Sequence, residues 1–329
     1  MVNKETVLVL GAGASAPYGF PSGQRLADLI CAAPRTTMDG TGISMQDYQL
    51  FKELLLRSGC SSVDAFLESR PEYLNIGKAA IGAILLPMEK TSNLFDKWAA
   101  IRLQPDISEE YRRNWPWYDL LLGILCNGVP FDEVGNNRLS VITFNYDRSL
   151  EHYLFTALKN RYGRPDDECA KVLGRIPILH VHGSLGKLQW QERANQTDDN
   201  VVPYDSGGAV TYIQQATKTI VILHEGTDST PEFIHARELL RSAEQVFFLG
   251  FGYHRVNLAR LGIGPTLRLP ADSRGTALGL SRETREHFNV LTQSKRDPRH
   301  PPGQDNLSGG HILEDTDAYS LLHNHTTFG

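Results

Sequence analysis

The amino-acid sequence predicts an α/β fold, in which a mostly parallel sheet has helices on both faces and carries a helical insertion. Short apolar runs rich in β-branched residues recur along the chain, and most are followed by Gly, Asp or Ser and then by a plausible helix. Such runs are typical of parallel strands buried on both sides. Six strands are predicted, at Thr6–Leu10, Leu139–Phe144, Ile176–Val181, Thr219–Leu223, Gln245–Leu249 and Gly275–Leu280.

A long helical stretch separates the first predicted strand from the second. Between Cys31 and Arg138 no strand pattern is convincing, and apolar side chains recur there at helical spacing. We expect a helical insertion over residues 31–138, inside a single domain that spans residues 1–329. The helices predicted in it lie at Gln46–Leu56, Ile76–Leu86, Asn93–Leu103 and Trp115–Cys126.

Two polar stretches predict loops. Gln191–Gly208 is rich in Gly, Asn and Asp, and we expect it to form a loop that could serve as a lid. Lys295–Gly310 has the same character, so residues 294–329 are predicted to form a loop followed by a short C-terminal tail.

Composition and charge exclude several classes of protein. The chain has 329 residues, with 33 Lys and Arg against 38 Asp and Glu, a net charge of −5. Proteins that bind a nucleic-acid backbone usually carry a basic excess, so nucleic acid is not an expected ligand. No apolar run is long enough to span a bilayer, and the N-terminus lacks a signal-peptide pattern, so we expect a cytoplasmic protein without a membrane anchor. None of the four cysteines forms a Cys-x-x-Cys pair, which argues against a structural zinc module.

The first candidate site follows the first strand, where Gly11, Ala12, Gly13 and Ser15 lead toward a helix. Small residues at such a turn let the backbone approach a pyrophosphate, whose oxygens the following N–H groups can meet. The third glycine of the dinucleotide fingerprint is missing, and close packing of strand against helix also favours glycine. Phosphate binding and plain packing both remain open on this motif alone.

Asn145 and Asp147 form the second candidate, at the end of the second predicted strand. Asp147 is well placed to cap the helix that follows, with Asn145 in the preceding turn. On spacing alone this structural interpretation is favoured over a functional one. Because open parallel sheets place their ligands at the carboxyl ends of strands, both residues stay candidates.

The third candidate is the segment His180–Ser184, which ends another predicted strand. Alternation along a strand would put His180 and His182 on one side, and Gly183 would allow close approach to whatever His182 contacts. The two histidines could form a metal pair, but no third ligand lies at suitable spacing, so we expect no metal. Ser184 completes the turn.

Gly250 and Gly252 mark a second glycine-rich turn, after the strand predicted at Gln245–Leu249. Gly and small polar residues follow several predicted strands, which is more often than packing alone would require. Together they indicate a nucleotide lying across the carboxyl edge of a Rossmann-like sheet.

Taken in order, these motifs resemble the sirtuin fold and, more closely, the bacterial sirtuin-like NAD-consuming effectors of anti-phage defence. The resemblance rests on the Gly11–Ser15 turn, the Thr143–Asp147 segment and the His182–Ser184 turn, and it is strengthened by Ser62–Pro71 and Leu249–His254. It extends over most of the chain, from about Val7 to Leu291.

The resemblance implies an NAD hydrolase (NADase) that uses water as acceptor and releases nicotinamide and ADP-ribose, depleting cellular NAD in abortive infection. NAD is then the substrate, and no metal is needed. Protein-deacylating sirtuins carry a four-cysteine zinc module that this chain cannot build. The resemblance also implies gating, by a homo-oligomer or by a partner such as a HerA-type ATPase.

The chemistry of the reaction assigns roles to the candidate residues. The nicotinamide–ribose bond breaks through an oxocarbenium-like transition state with a neutral leaving group, so the site must place the ribose and a water and accept a proton. We expect His182, near its usual pKa of about 6.5, to accept that proton and Asn145 to orient the water or the ribose. Asp147 would hold the nicotinamide carboxamide.

Pyrophosphate and adenosine would meet Ser15 and the glycine turns. Two alternatives stay open: a non-catalytic module that senses NAD or an ADP-ribose derivative, and an NAD-dependent protein deacylase.

Overall fold

A computed structural model describes residues 1–95, 116–192, 200–223, 230–264, 266–292 and 312–325. Six parallel strands form one sheet in the order β3-β2-β1-β4-β5-β6. The strands are β1 (Thr6–Leu10), β2 (Leu139–Thr143), β3 (Ile178–His180), β4 (Gln245–Leu249), β5 (Asp272–Thr276) and β6 (Ile312–Glu314). Helices flank this sheet, which confirms the predicted Rossmann-like α/β class.

The described residues form twelve α-helices. Those between β1 and β2 are α1 (Gly23–Ala32), α2 (Met45–Arg57), α3 (Val63–Ser69), α4 (Leu74–Thr91) and α5 (Tyr118–Cys126). The others are α6 (Ser149–Tyr162), α7 (Asp166–Leu173), α8 (Val210–Thr219), α9 (Pro231–Ser242), α10 (Arg255–Arg260), α11 (Arg282–Thr292) and α12 (Ala318–His325).

Strand β1 lies in the middle of the sheet. Thr6 pairs with Leu139 of β2 on one side and with Gln245 of β4 on the other. All five of its residues are buried, because Leu8 and Leu10 face one apolar core while Val7 and Val9 face another. This is the strand order of dinucleotide-binding doubly wound sheets, in which ligands bind outside the carboxyl ends of the strands where the order reverses.

Every described element between β1 and β2 is helical, as the sequence predicts for this stretch. The helices predicted at Gln46–Leu56 and Ile76–Leu86 lie within α2 and α4, and the one predicted at Trp115–Cys126 begins at Tyr118. Most of Asn93–Leu103 lies outside the described residues. No described helix is both long enough and apolar enough to cross a membrane.

The prediction of a strand at Thr219–Leu223 is wrong. Thr219 is the last residue of α8, and the segment after it forms a single bridge, from Ile220 to Gly183. Its apolar residues are buried by packing rather than by pairing, a distinction that composition does not reveal.

The sixth strand is β6 instead, within the residues predicted to be a loop and tail, and α12 follows it. Three residues are too few to give a period. Strand β5 begins three residues before the predicted Gly275. Its first three residues are polar, so the apolar pattern did not include them. Arg274 forms ion pairs with Asp272 and with Glu314 near the edge of the sheet.

Candidate active site

A cleft of about 520 Å³ opens at the carboxyl ends of β1, β2 and β4. This is the point where the strand order reverses, the usual place of ligands in such sheets. Seven predicted site residues line the cleft: Gly11, Ala12, Gly13, Asn145, His182, Gly250 and Gly252. Four others lie outside its lining: Ser15, Asp147, Gly183 and Ser184.

The two glycine-rich turns pack directly against each other. Gly11 N donates to Leu249 O at 3.0 Å, and Gly13 N donates to Gly250 O at 3.1 Å. Gly250 has φ +57°, and a Cβ there would lie 2.0 Å from the nitrogen of Ala14. Only glycine fits such an approach of two backbones, so packing accounts for these glycines.

Four N–H groups of the first turn already donate within the protein, which leaves fewer of them to meet a pyrophosphate. The N–H groups of Gly11 and Gly13 are used as described above. Ala14 N donates to Gly11 O, and Ser15 N donates to Ala12 O. Anionic groups of a ligand would therefore have to be met by side chains and by other backbone groups of the cleft.

Asn145 lies two residues beyond β2 and is nearly fully buried. Its Nδ2 donates to Gly11 O and to Ser15 Oγ, both at 3.0 Å. These bonds fix the amide plane and tie the end of β2 to the turn after β1. The Oδ1 atom is buried and has no hydrogen-bond partner in the part of the chain that the structure describes, although such atoms are nearly always paired in native proteins.

Asp147 is linked to Asn145 through the Ser15 hydroxyl. Its Oδ1 accepts hydrogen bonds from the backbone N and the hydroxyl of Ser149, and Ser15 also donates to the carboxylate. Burial raises the pKa of Asp147, while the bonds from Ser149 and Ser15 act in the opposite direction. Because α6 begins at Ser149, the N-cap position is Arg148, one residue later than predicted. In this position Asp147 does not present its carboxylate to the cleft.

His182 lies in the turn that follows β3. Its ring packs edge-on against Phe144 and Phe233, with centroids 5.5 and 5.7 Å away. The Nδ1 atom is buried, and no described residue forms a hydrogen bond with it. Burial lowers the pKa of His182, so the sequence-based expectation of a pKa near the usual value is wrong and the imidazole is neutral at pH 7.

His180 has different surroundings. Its Nε2 lies 2.5 Å from Glu151 Oε1, and its Nδ1 lies 2.8 Å from Asn145 O. Burial alone would lower the pKa of His180, but the Glu151 carboxylate raises it overall. The expectation that His180 and His182 share one face is wrong, because the strand ends at His180 and a turn closed by the Gly183 N–H follows.

Gly183 and Ser184 serve the packing of α8. Gly183 has φ +67°, and a Cβ there would lie 1.9 Å from Thr219 O. Ser184 O accepts a hydrogen bond from Thr219 Oγ1 at 2.7 Å. The close approach that Gly183 permits is therefore to the end of α8 and not to a ligand of His182.

Three charged side chains that were not predicted as site residues also line the cleft. Asp64 and Glu68 come from α3, and Arg260 comes from α10. Arg260 is only 2% exposed, and its Nη1 lies 3.0 Å from Glu68 Oε1. The i, i+4 spacing of Asp64 and Glu68 does place both on one helix face. Such a pair usually marks a solvated face, and only the fold brings α3 against the end of β2.

The described residues contain no group of three or more His, Cys, Asp or Glu side chains arranged to hold a metal ion. Comparison of the chain with protein-family models and with curated proteins finds no match.

Proposed function

We propose that this protein is an NAD⁺ glycohydrolase that cleaves the nicotinamide–ribose bond and releases nicotinamide and ADP-ribose. The observation that carries the proposal is a pair of buried polar atoms, Asn145 Oδ1 and His182 Nδ1, that have no hydrogen-bond partner among the described residues and lie in one cleft at the reversal point of the sheet. A buried polar atom without a partner costs roughly 1–3 kcal/mol, which a bound ligand or water can recover. The motif order, which resembles the sirtuin-like effectors, supports the same proposal.

The chemistry suits the groups present. When the C1′–N bond breaks, its electron pair goes to the nicotinamide nitrogen, which leaves as a neutral ring. A water held by Asn145 Oδ1 adds to C1′, and its proton goes to Nδ1 of the neutral His182. Because the leaving group needs no protonation, one base and one orienting amide are enough for the chemical step.

The size and character of the cleft fit a small polar ligand. Its volume of about 520 Å³ is within the usual range of about 300–1,000 Å³ for small-molecule sites. Phe144 and Phe251 give it two aromatic side chains, while Asn257 and His254 add polar ones. A nucleoside half of NAD⁺ needs both kinds of surface.

The test is incubation of the purified protein with NAD⁺, with nicotinamide and ADP-ribose followed by chromatography. We expect both products in equal amounts. His235→Ala, a change at an exposed histidine of α9, is the control and should leave the rate unchanged. Tight binding of NAD⁺ without product, in protein co-expressed with its neighbouring genes, would overturn the proposal in favour of a sensing module. O-acetyl-ADP-ribose formed only when an acetylated peptide is added would indicate a deacylase.

We further propose that the activity serves anti-phage defence and is gated by self-assembly or by a partner such as a HerA-type ATPase. An enzyme that depletes NAD without control would harm its own host.

A further inference from the structure

Asp64 also lines the cleft. Its Oδ1 accepts a hydrogen bond from the Tyr146 hydroxyl. Tyr146 follows Asn145 directly, so one turn after β2 carries both the buried amide and the group that holds this carboxylate. Among the residues that the structure describes, no Lys, Arg or His forms an ion pair with Asp64.

The neighbouring carboxylate is different. Glu68, one helical turn further along α3, pairs with the buried guanidinium of Arg260. The negative charge of Glu68 is therefore offset within the wall of the cleft. His182 adds no charge at pH 7, because its pKa is lowered by burial. Among the described residues, Asp64, Glu68 and Arg260 thus give this wall two carboxylates and one guanidinium, and the ion pair is made by Glu68 and not by Asp64.

Three buried polar side chains on the same cleft point independently to a ligand. Asn145, His182 and Arg260 are each less than one-tenth exposed, and each has a side-chain atom without a partner among the described residues: Oδ1, Nδ1 and Nε. Because these atoms form no hydrogen bond with the described residues, they are available to a polar ligand, together with the Asp64 carboxylate.

We propose that Asp64, held by Tyr146, is the carboxylate that binds the cationic end of the dinucleotide and stabilises the positive charge that moves onto its ribose. This inference rests on the proposed function. The pyridinium of NAD⁺ is positive before cleavage, and the charge passes to C1′ as the bond to nitrogen breaks. A fixed carboxylate that forms no ion pair among the described residues favours both states, and its effect is largest where water is excluded.

The test compares Asp64→Asn with the wild type in NAD⁺ cleavage. The change preserves shape and removes one charge, and we expect kcat to fall about 100-fold, as for loss of other preorganised electrostatic groups. Inhibition by ADP-ribose, which lacks the cationic ring, should be unchanged. Asp47→Asn is the matched control, because Asp47 occupies the first turn of α2 and lies outside the cleft. It should leave kcat as it is.

Tyr146→Phe separates charge from positioning. The carboxylate remains but loses the hydroxyl that orients it, so we expect a smaller fall in kcat, about tenfold, with KM little changed. An Asp64→Asn protein that cleaves NAD⁺ at the wild-type rate would overturn the inference. Loss of ADP-ribose binding together with kcat would also overturn it, since that pattern indicates a structural role.

A binding measurement decides the inference if the wild type does not cleave NAD⁺ and the proposed function fails. Calorimetry with NAD⁺ and NADH compares two ligands that differ by the positive charge of the ring. We expect the wild type to prefer NAD⁺ by about tenfold or more, roughly 1.4 kcal/mol, and Asp64→Asn to lose that preference. Equal affinity of the wild type for both, or binding of neither, would overturn the inference.

Discussion

The side chains of Asn145 and Ser149 show how differently polar groups at the end of β2 are used. The Ser149 hydroxyl bonds both the Asp147 carboxylate and the Tyr118 hydroxyl, so its capacity is met inside the protein. Asn145 uses Nδ2 twice internally and leaves Oδ1 unpaired. Both residues are buried, so burial does not distinguish them. What marks Asn145 as a candidate functional residue is its unpaired Oδ1 atom.

Asn145→Ala and His182→Ala should each abolish NAD⁺ cleavage in folded protein. Loss of a general base typically lowers a rate by about 10²–10⁴-fold, and a misplaced water adds to that loss. Asn145→Ala also removes the hydrogen bonds that Nδ2 donates to Gly11 O and Ser15 Oγ, so we expect it to cost about 1–3 kcal/mol of stability. Product chromatography and urea unfolding of the same preparations check the two effects separately. A folded His182→Ala protein with normal activity would contradict the assignment.

His180→Ala should destabilise the protein more than it affects the chemistry, because it removes the buried partner of Glu151. The direction in which this loss of stability changes with pH follows from the raised pKa of His180. The stability that this pair contributes is fully present below the unfolded-state pKa of about 6.5, and it is lost as pH rises through the higher folded-state pKa. Urea unfolding at pH 6 and pH 9 should therefore show a larger loss at pH 6. An equal loss at both values would contradict the ion pair.

At the scale of elements, the site depends on two turns that touch through their backbones. Gly250→Ala would place a Cβ 2.0 Å from Ala14 N, so we expect a loss of about 3 kcal/mol or more and a displaced cleft. Gly128→Ala is the matched control: its φ of +70° is similar, but the new Cβ meets nothing within 4 Å. Backbone strain alone should cost it about 1–2 kcal/mol. Equal losses in urea unfolding would show that the contact between the turns is unimportant.

A buried ion pair joins α4 to α6. Arg148 Nη2 lies 2.6 and 2.7 Å from the two oxygens of Glu89, and both side chains are at most 1% exposed. Arg148→Met should cost about 3–5 kcal/mol, because it leaves Glu89 buried without its partner, whereas adding Glu89→Leu should restore most of the loss. Lys171→Met breaks an exposed pair with Asp167 and should cost no more than about 1 kcal/mol in the same urea titration. A double variant as unstable as Arg148→Met would contradict this account.

An element could be predicted from the sequence when it was long enough and its apolar residues were regularly spaced. Strand β1 was predictable because four of its five residues are apolar and the strand is buried on both faces, and α2 because its apolar residues repeat at helical spacing. Strand β6 and the polar start of β5 were not, since pairing with a neighbour and not composition makes them strands. Within the site, Asn145 and His182 were accessible as strand-end residues. Asp64 was not, because its place beside the cleft depends on how α3 packs.

For the whole molecule we expect the chain to self-associate or to bind a second protein. Leu56 and Val290 are large apolar side chains that are 71% and 70% exposed, on α2 and α11. Light scattering on the isolated protein, and on the protein co-expressed with its neighbouring genes, should give a mass above the 36.7 kDa of one chain. A strictly monomeric protein that is fully active without a partner would contradict this prediction.

The central place of β1 has a consequence for how the protein is made. Thr6 leaves the ribosome well before its two partners in the sheet, Leu139 and Gln245. At roughly 5–20 residues per second, the 239 residues that separate Thr6 from Gln245 take about 12–48 s to synthesise. During that time one edge of β1 has no partner. The cleft, whose wall includes Gly250 and Arg260, can form only when translation of the chain is well advanced. A chain truncated before Gly250 therefore lacks part of the wall of the cleft.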